Sequence, residues 1–221
     1  MKQRLTIFNI PRVVITLIVT IISIQSSESY ERSYDNICGL PLPARGLKIV
    51  KLLLKHSSSN SLTSASSPQH QAMCWLIHND PRKVSVPMFS SPYKLLQRYA
   101  LAVLYSATHG SSKWLDKTNW LSKKSECQWY GIGCNVYGYV TVVDLPFNEL
   151  EGILPRELSL LKYLQVLEVQ ANELQGVIPI ALGDCKDLTV LKLFMNGFFG
   201  EIPSSIGKMK NLKEFITFGY V

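Results

Sequence analysis

From Val140 to the C-terminus, apolar and polar positions recur with a period of 24 residues. Three blocks begin at Val140, Leu164 and Leu188, and a fourth opens at Leu212. They read VTVVDLPFNELEGILPRELSLLKY, LQVLEVQANELQGVIPIALGDCKD and LTVLKLFMNGFFGEIPSSIGKMKN. A fixed period of this length marks a solenoid, in which each coil buries an apolar face that no single coil could bury alone. Val143 and Leu145, Leu167 and Val169, and Leu191 and Leu193 are each two apart, the spacing of side chains on one face of a short strand. Stacked copies of that strand predict a parallel sheet. Asn148, Asn172 and Asn196 follow at one register. Because an amide both donates and accepts, these side chains suit the backbone of a tight turn and predict a ladder inside the coil. Gly152, Gly176 and Gly200 mark a turn that a Cβ would oppose, and Pro155, Pro179 and Pro203 open the return segment. Leu158, Leu182 and Ile206, then Leu161, Cys185 and Met209 three residues on, form two apolar columns of a one- or two-turn helix, often 3₁₀.

These residues carry a resemblance. L-x-x-L-x-L-x-x-N-x-L-x-G-x-I-P, present three times in full and once in part over residues 140–221, resembles the plant-type leucine-rich repeat. That repeat occurs in receptor-like kinase ectodomains, receptor-like proteins and secreted inhibitors of pectin-degrading enzymes. The fold it implies is α/β, a right-handed leucine-rich repeat solenoid of parallel strands plus short 3₁₀ or α helices. Cys127-Gln-Trp129-Tyr-Gly131-Ile-Gly-Cys134 is similar to the C-x-W-x-G-V-x-C motif of the N-terminal cap of such repeats. The resemblance implies a Cys127–Cys134 disulfide and a Trp129 packed beneath the first strand.

A solenoid needs its first apolar surface covered, and residues 67–139 are the expected helical cap. SSPYKLLQRYALAVLYSATHG offers a Ser before Pro92 and Gly110 past its end. Leu95, Leu96, Tyr99, Val103 and Leu104 fall on one face of the helix it predicts, with Ala100 and Ala107 beside them. A second helix is expected from Ser67 to His78, closed by Asn79-Asp80-Pro81. This block resembles the segment before the repeats in a group of algal leucine-rich repeat proteins. Residues 30–66 read as a flexible N-terminal segment with a Ser-rich linker, in which 46–56 could form an amphipathic helix.

Residues 1–29 combine a basic start, the apolar run Val13–Ile24 and the small-residue site Ser27-Glu28-Ser29. This reads as a secretory signal peptide or a signal anchor. The repeats are therefore expected outside the cell, secreted or membrane-anchored, where disulfides persist. Of the five cysteines, Cys185 shares a column with Leu161 and Met209 and is expected buried, while Cys38 and Cys74 could pair with each other. The fourth block lapses, with Thr217 in the third apolar slot and Tyr220 in the Asn slot. That lapse fits a fragment of a longer repeat protein, or an end completed by a partner.

The net charge of +7 is spread out, with no basic run longer than Lys123-Lys124. Nucleic acid is not implied, whereas mild attraction to cell-wall polysaccharide or a membrane surface is allowed. His70, Cys74 and His78 have metal-ligand chemistry at i, i+4 and i+8, but Met73, Trp75 and Leu76 suggest a buried side with both histidines in water, so no metal is expected. There is no G-x-S-x-G, P-loop or dinucleotide fingerprint and no kinase motif, so neither an enzyme nor a cofactor is expected. A ligand would meet the concave strand face. There Asp144, Glu168 and Lys192 form one column, Pro146, Gln170 and Phe194 the next, and Phe147, Ala171 and Met195 the third. Exposed Phe and Met on a sheet suit an interface core, so Asp144, Phe147, Glu168, Gln170, Lys192, Phe194 and Met195 are the candidate contacts for a protein or peptide. Two other functions fit the repeats: a secreted inhibitor of cell-wall hydrolases, and a structural or adhesive matrix protein.

Overall fold

The computed structural model describes Tyr34, residues 36–86 and residues 92–217. The signal segment and Tyr220 lie outside the described residues. The chain divides into two units, Met1–Leu42 and Pro43–Val221. In the first, the amides of Ile37 and Gly39 close turns onto the carbonyls of Tyr34 and Asn36. Cys38 there is disulfide-bonded.

The second unit starts with two helices, the first on the stretch expected as an amphipathic helix and the second in the stretch read as linker. Helix α1 (Ala44–Leu53) buries Gly46, Ile49, Val50 and Leu53, an i, i+3, i+4, i+7 stripe. Helix α2 (Ser59–Thr63) lies in the serine-rich stretch read as linker. Ser58 caps it by accepting from the Ser61 amide, and Leu62 anchors it in the interior. Two serines thus act as caps rather than as flexible spacer, because each is followed by a residue with somewhere to bury. Helix α3 (Pro68–Cys74) has Ser67 as its N-cap and Pro68 in its first turn. It then widens into a π-helical turn, Trp75–Asn79, closed by the Asp80 amide on the Trp75 carbonyl at 2.7 Å.

Helix α4 (Tyr93–Ala107) is the centre of the unit. The sequence predicted one apolar face, yet every residue from Leu95 to Leu104 is buried. The helix is wrapped on all sides, so its polar residues must find partners inside. Gln97 donates to the Gly138 carbonyl at 3.1 Å and accepts from the Val140 amide at 3.2 Å, closing the start of the first repeat strand. Arg98 is fully buried. Its guanidinium binds Asp80 at 2.7 Å and Glu126 at 3.0 Å, donates to the Ser122 carbonyl at 2.7 Å, and lies 5.0 Å from the ring centres of both Trp75 and Trp129. Tyr99 bonds Ser57 at 2.9 Å, and Ser57 donates to buried Glu157 of the first repeat at 2.8 Å. Trp114, Trp120 and Trp129 form a continuous aromatic stack, with centroids 4.7 and 5.0 Å apart. Cys127 and Cys134 are bonded to each other across the short 3₁₀ turn Glu126–Gln128 and strand β1 (Ile132–Cys134).

The repeats then stack as their period dictates. Strands β2 (Val140–Asp144), β4 (Val166–Glu168), β6 (Val190–Lys192) and β8 (Glu214–Ile216) pair in parallel in that order, and β1 closes the cap edge antiparallel to β2. Partners such as Val143, Leu167, Leu191 and Phe215 are 24 apart throughout. A second parallel sheet, β3 (Glu151–Ile153), β5 (Glu173–Gly176) and β7 (Gly197–Phe198), pairs Glu151 with Glu173 and Gln175 with Gly197, at a separation of 22. The return segments are 3₁₀ helices, Arg156–Leu160, Ile180–Asp184 and Ile206–Lys208. Leu145, Leu150, Leu158, Leu167, Leu174, Leu182, Leu191 and Leu193 are fully buried between the two layers, each contributing about 2 kcal/mol of burial.

Candidate functional site

The sheet face away from the core is built by strand alternation. Asp144, Glu168 and Lys192 stand in one column because their backbones pair directly. Val142, Val166, Val190 and Glu214 form a second column on the same face, two residues earlier. The sequence reading passed over these valines as ordinary strand residues, although their spacing from Asp144, Glu168 and Lys192 already placed them there.

The charges on this face are largely engaged with one another. Lys192 Nζ sits 3.1 Å from Glu168 and 3.4 Å from Glu214, and its pKa is raised, first by the hydrogen bond with Glu168. The Asp144 carboxyl is pushed above its ordinary value by partial burial and then by Glu168, with Lys192 opposing. Gln170 is almost buried and its amide points to Glu168 at 3.4 Å. Phe194 is half-buried. Of the seven candidate contacts, the ionic ones are thus mostly occupied with each other. Three stand into solvent: Asp144 and the two apolar ones, Phe147, 68% exposed, and Met195, 48% exposed.

Their exposure has a backbone cause. Phe147, Ala171 and Met195 each adopt a left-handed conformation, with φ of 52°, 55° and 53°. This is the turn that ends each strand, and it swings the side chain away from the sheet. The next residue in every coil is the ladder asparagine. Asn172 Nδ2 donates to the Leu145 and Val169 carbonyls at 2.9 Å, and its Oδ1 accepts from the Asn148 and Leu150 amides at 3.0 Å. Asn196 repeats the arrangement on Val169 and Leu174. Asn148 has no earlier repeat, so it bonds the cap instead: its Oδ1 accepts from the Asp116 amide and its Nδ2 donates to the Asp116 carbonyl at 2.9 Å. The neighbouring Leu115 donates its amide to the Asn148 carbonyl at 3.3 Å and is 67% exposed. The apolar margin therefore continues onto the cap. No sequence signal pointed to Leu115, because its segment meets Asn148 from 32–33 residues earlier in the chain, outside the 24-residue period.

A second apolar row runs along the other sheet. Ile153, Val177 and Phe199 are exposed and border a groove of ≈ 520 Å³ with Pro155, Pro179 and Pro68. Two of these lie over the next coil's glycine: Ile153 Cγ2 is 3.4 Å from where a Cβ on Gly176 would stand, and Val177 Cγ1 is 3.3 Å from that of Gly200. At Gly152 the neighbour is the Ala107 backbone carbonyl at the end of α4, which a Cβ would overlap.

The remaining candidates are elsewhere. Cys74 is disulfide-bonded, and His70, expected in water, is buried with Nδ1 2.8 Å from the Leu62 carbonyl. The burial follows from α2, whose backbone supplies the partner the histidine needs. Among the described residues no three His, Cys, Asp or Glu side chains converge as metal ligands, and no helix is long and apolar enough to cross a membrane. Cys185 is a free thiol sealed in the core, its pKa pushed up to about 12 by burial.

No family model matches the chain. No curated protein matches it either. Among solved structures, it is similar to the PEPR1–AtPEP1 complex at 28% identity and a TM-score of 0.48, over 54% of this chain and 17% of that one. It is similar to the receptor kinase HAESA of Arabidopsis, solved with a peptide hormone, at 31% identity and 0.40, over 42% and 16%. It is also similar to the ectodomain of the receptor kinase SOBIR1 from Arabidopsis thaliana, at 22% and 0.47, over 58% and 67%. The chain spans under a fifth of the length of the first two. The in-register strands, the asparagine ladder and the L-x-G-x-I-P turns of its own coils make residues 140–217 a stack of plant-type leucine-rich repeats behind a disulfide-bonded cap.

Proposed function

We propose that this chain is a non-enzymatic, extracellular recognition module that binds a protein or peptide along the margin formed by Leu115, Phe147, Ala171 and Met195. The observation that carries this reading is the pairing of exposure with backbone cost. A left-handed residue is cheapest as Gly or Asn, and a bulky one there is uncommon. Phe147 and Met195 recover little of that cost by burial, since they are 68% and 48% exposed. Aromatic and Met side chains of this kind are enriched in interface cores. With coils about 4.8 Å apart, Phe147 and Met195 lie about 10 Å from each other, a span suited to two anchors of one extended segment. The paired Glu168–Lys192–Glu214 row forms a polar border on the strand side of the margin, with the valine column beyond it. The disulfide-bonded cap suits an oxidising compartment, secreted or tethered.

The test is capture from an extracellular fraction by the full chain and by a Phe147→Ser/Met195→Ser variant with an unchanged unfolding midpoint. Loss of the captured partner in the variant supports the margin. Equal capture by both proteins rejects it.

A further inference from the structure

The cap holds a cavity that neither the repeats nor the margin uses. It has a volume of ≈ 520 Å³, within the roughly 300–1,000 Å³ typical of small-molecule sites. It lies between α3 and the C-terminal end of α4, and its walls include Gln71, Trp75, Tyr105, Ser106, His109 and Ser111. Both aromatic walls are held in place. Trp75 has the Arg98 guanidinium 5.0 Å from its ring centre. The Tyr105 ring lies edge-on to Trp114 at 5.2 Å and stacks on Trp120 at 5.8 Å. A Cβ at Gly110 would overlap the Tyr105 ring, so that glycine is required by close approach.

Costly backbone is concentrated at the same place. Trp75 opens the π-helical turn, a form rare enough that it often marks functional positions. His109 and Leu121, both in the wall, are left-handed with φ of 53° and 55°. Such residues cost of order 1–3 kcal/mol each and persist where the surroundings hold them for another purpose.

The wall chemistry narrows the ligand. It contains no carboxylate, lysine or arginine. Its polar groups are serine hydroxyls, the Gln71 amide, the Tyr105 phenol and one imidazole, His109, which lies 3.9 Å from Glu151. Apart from that imidazole these are neutral groups, and most can both donate and accept. Burial raises the Tyr105 pKa, which keeps the phenol protonated. Neutral dual-role groups match sugar hydroxyls. Aromatic faces, negative at their centres, match the weakly positive C–H face of a pyranose ring. No lysine or arginine side chain lines the cavity, and Lys117 Nζ beside it is already bonded to the Ser111 carbonyl at 2.7 Å.

We propose that this cavity binds a neutral oligosaccharide, with Trp75 and Tyr105 providing ring contact and Gln71, Ser106 and Ser111 bonding hydroxyls. The site is independent of the apolar margin, and its test reads a different quantity.

The test titrates the full chain with cellotetraose, xylotetraose and mannotetraose, and with tetragalacturonate as the charged contrast, following tryptophan fluorescence and heat. Saturable binding of at least one neutral tetrasaccharide with a Kd of about 1 mM or tighter is expected. Ser111→Trp fills the cavity from an exposed position away from Arg98 and should abolish it. Gln71→Ala removes one exposed amide and should weaken it roughly five- to tenfold. Circular dichroism and the urea midpoint establish that both variants fold. No saturable response to any neutral tetrasaccharide, tighter binding of tetragalacturonate, or titration unaffected by Ser111→Trp in a folded protein would each overturn the proposal. Failure here leaves the margin untouched, since that reading stands on partner capture.

Discussion

The cap and the repeats face the same task, satisfying buried backbone and side-chain polar groups around an apolar interior, and they solve it in opposite ways. Each coil uses the same short side chain at the same place: Asn172 and Asn196 bond equivalent amides and carbonyls of the coil before. The cap has no repetition to exploit. It relies on one fully buried cation, Arg98, that draws together the turn after α3, the Ser122–Lys124 loop and the Glu126–Trp129 motif. A periodic ladder spreads its energy over many modest bonds. A single charged hub concentrates it, so the cap should fail at one residue where the repeats fail by degrees.

The largest effect is therefore expected at Arg98. Arg98→Met leaves Asp80 and Glu126 buried with only the Arg82 amide and the more distant Arg82 guanidinium, and should cost about 3–5 kcal/mol in urea unfolding. Adding Asp80→Asn and Glu126→Gln should recover part of that loss, because the uncompensated charges go too. Full recovery is not expected, as the carbonyls of Ser122 and Lys124 stay unpaired. A cost below about 1 kcal/mol for Arg98→Met would show that the cap does not depend on its hub.

Asn172→Ala comes next, at about 3 kcal/mol, since it strips the Asn148 and Leu150 amides and the Leu145 carbonyl of their partner, while the Val169 carbonyl keeps Asn196. Hydrogen exchange should localise the loss to the coils on either side and leave α4 protected. Loss of protection in α4 would mean that cap and repeats unfold as one.

A sharper contrast uses one motif position in two settings. Gly152→Ala drives a Cβ into the Ala107 carbonyl, which is backbone, whereas Gly176→Ala meets only the Ile153 side chain at 3.4 Å. Both have positive φ, 124° at Gly152 and 83° at Gly176, so the difference between them combines steeper backbone strain with the docking of the cap on the first coil. Gly152→Ala should cost about 1–2 kcal/mol more than Gly176→Ala in thermal or urea melts. Equal costs would indicate that α4 shifts freely.

The smallest effect has the opposite sign. Phe147→Asn places a residue suited to the left-handed turn where a bulky one stands now, and should stabilise the chain by about 0.5–1 kcal/mol. The same change should weaken partner capture. A destabilised Phe147→Asn would mean that the ring supports the fold, and the argument for the margin would go with it.

The periodic half was legible because a solenoid writes its tertiary contacts into a local pattern. Each Leu, Asn and Gly meets its own counterpart 24 residues on, so one block implies the geometry of the next. The sequence alone settled the parallel strands, the asparagine ladder, the burial of Cys185 and the columns containing Asp144, Glu168 and Lys192. In the cap, the sequence marked the Cys127–Cys134 pair, the Ser67 start of α3 and the apolar face of α4, but not what surrounds them. Neither Arg98 nor Leu115 stands out in the local pattern. Both are placed by neighbours far along the chain: Asp80 and Glu126 around the first, Asn148 beside the second. The serine-rich stretch fared the same way, since its helix depends on Leu62 finding a buried seat. The separation of 22 in the second sheet was equally hidden, because the offset comes from how the turn after each asparagine lies against the next coil. Sequence by itself determined whatever one coil imposes on its identical neighbour. Tertiary structure decided everything held by partners of a different kind, since burying a charge or exposing a leucine is settled by what surrounds the residue rather than by what precedes it in the chain.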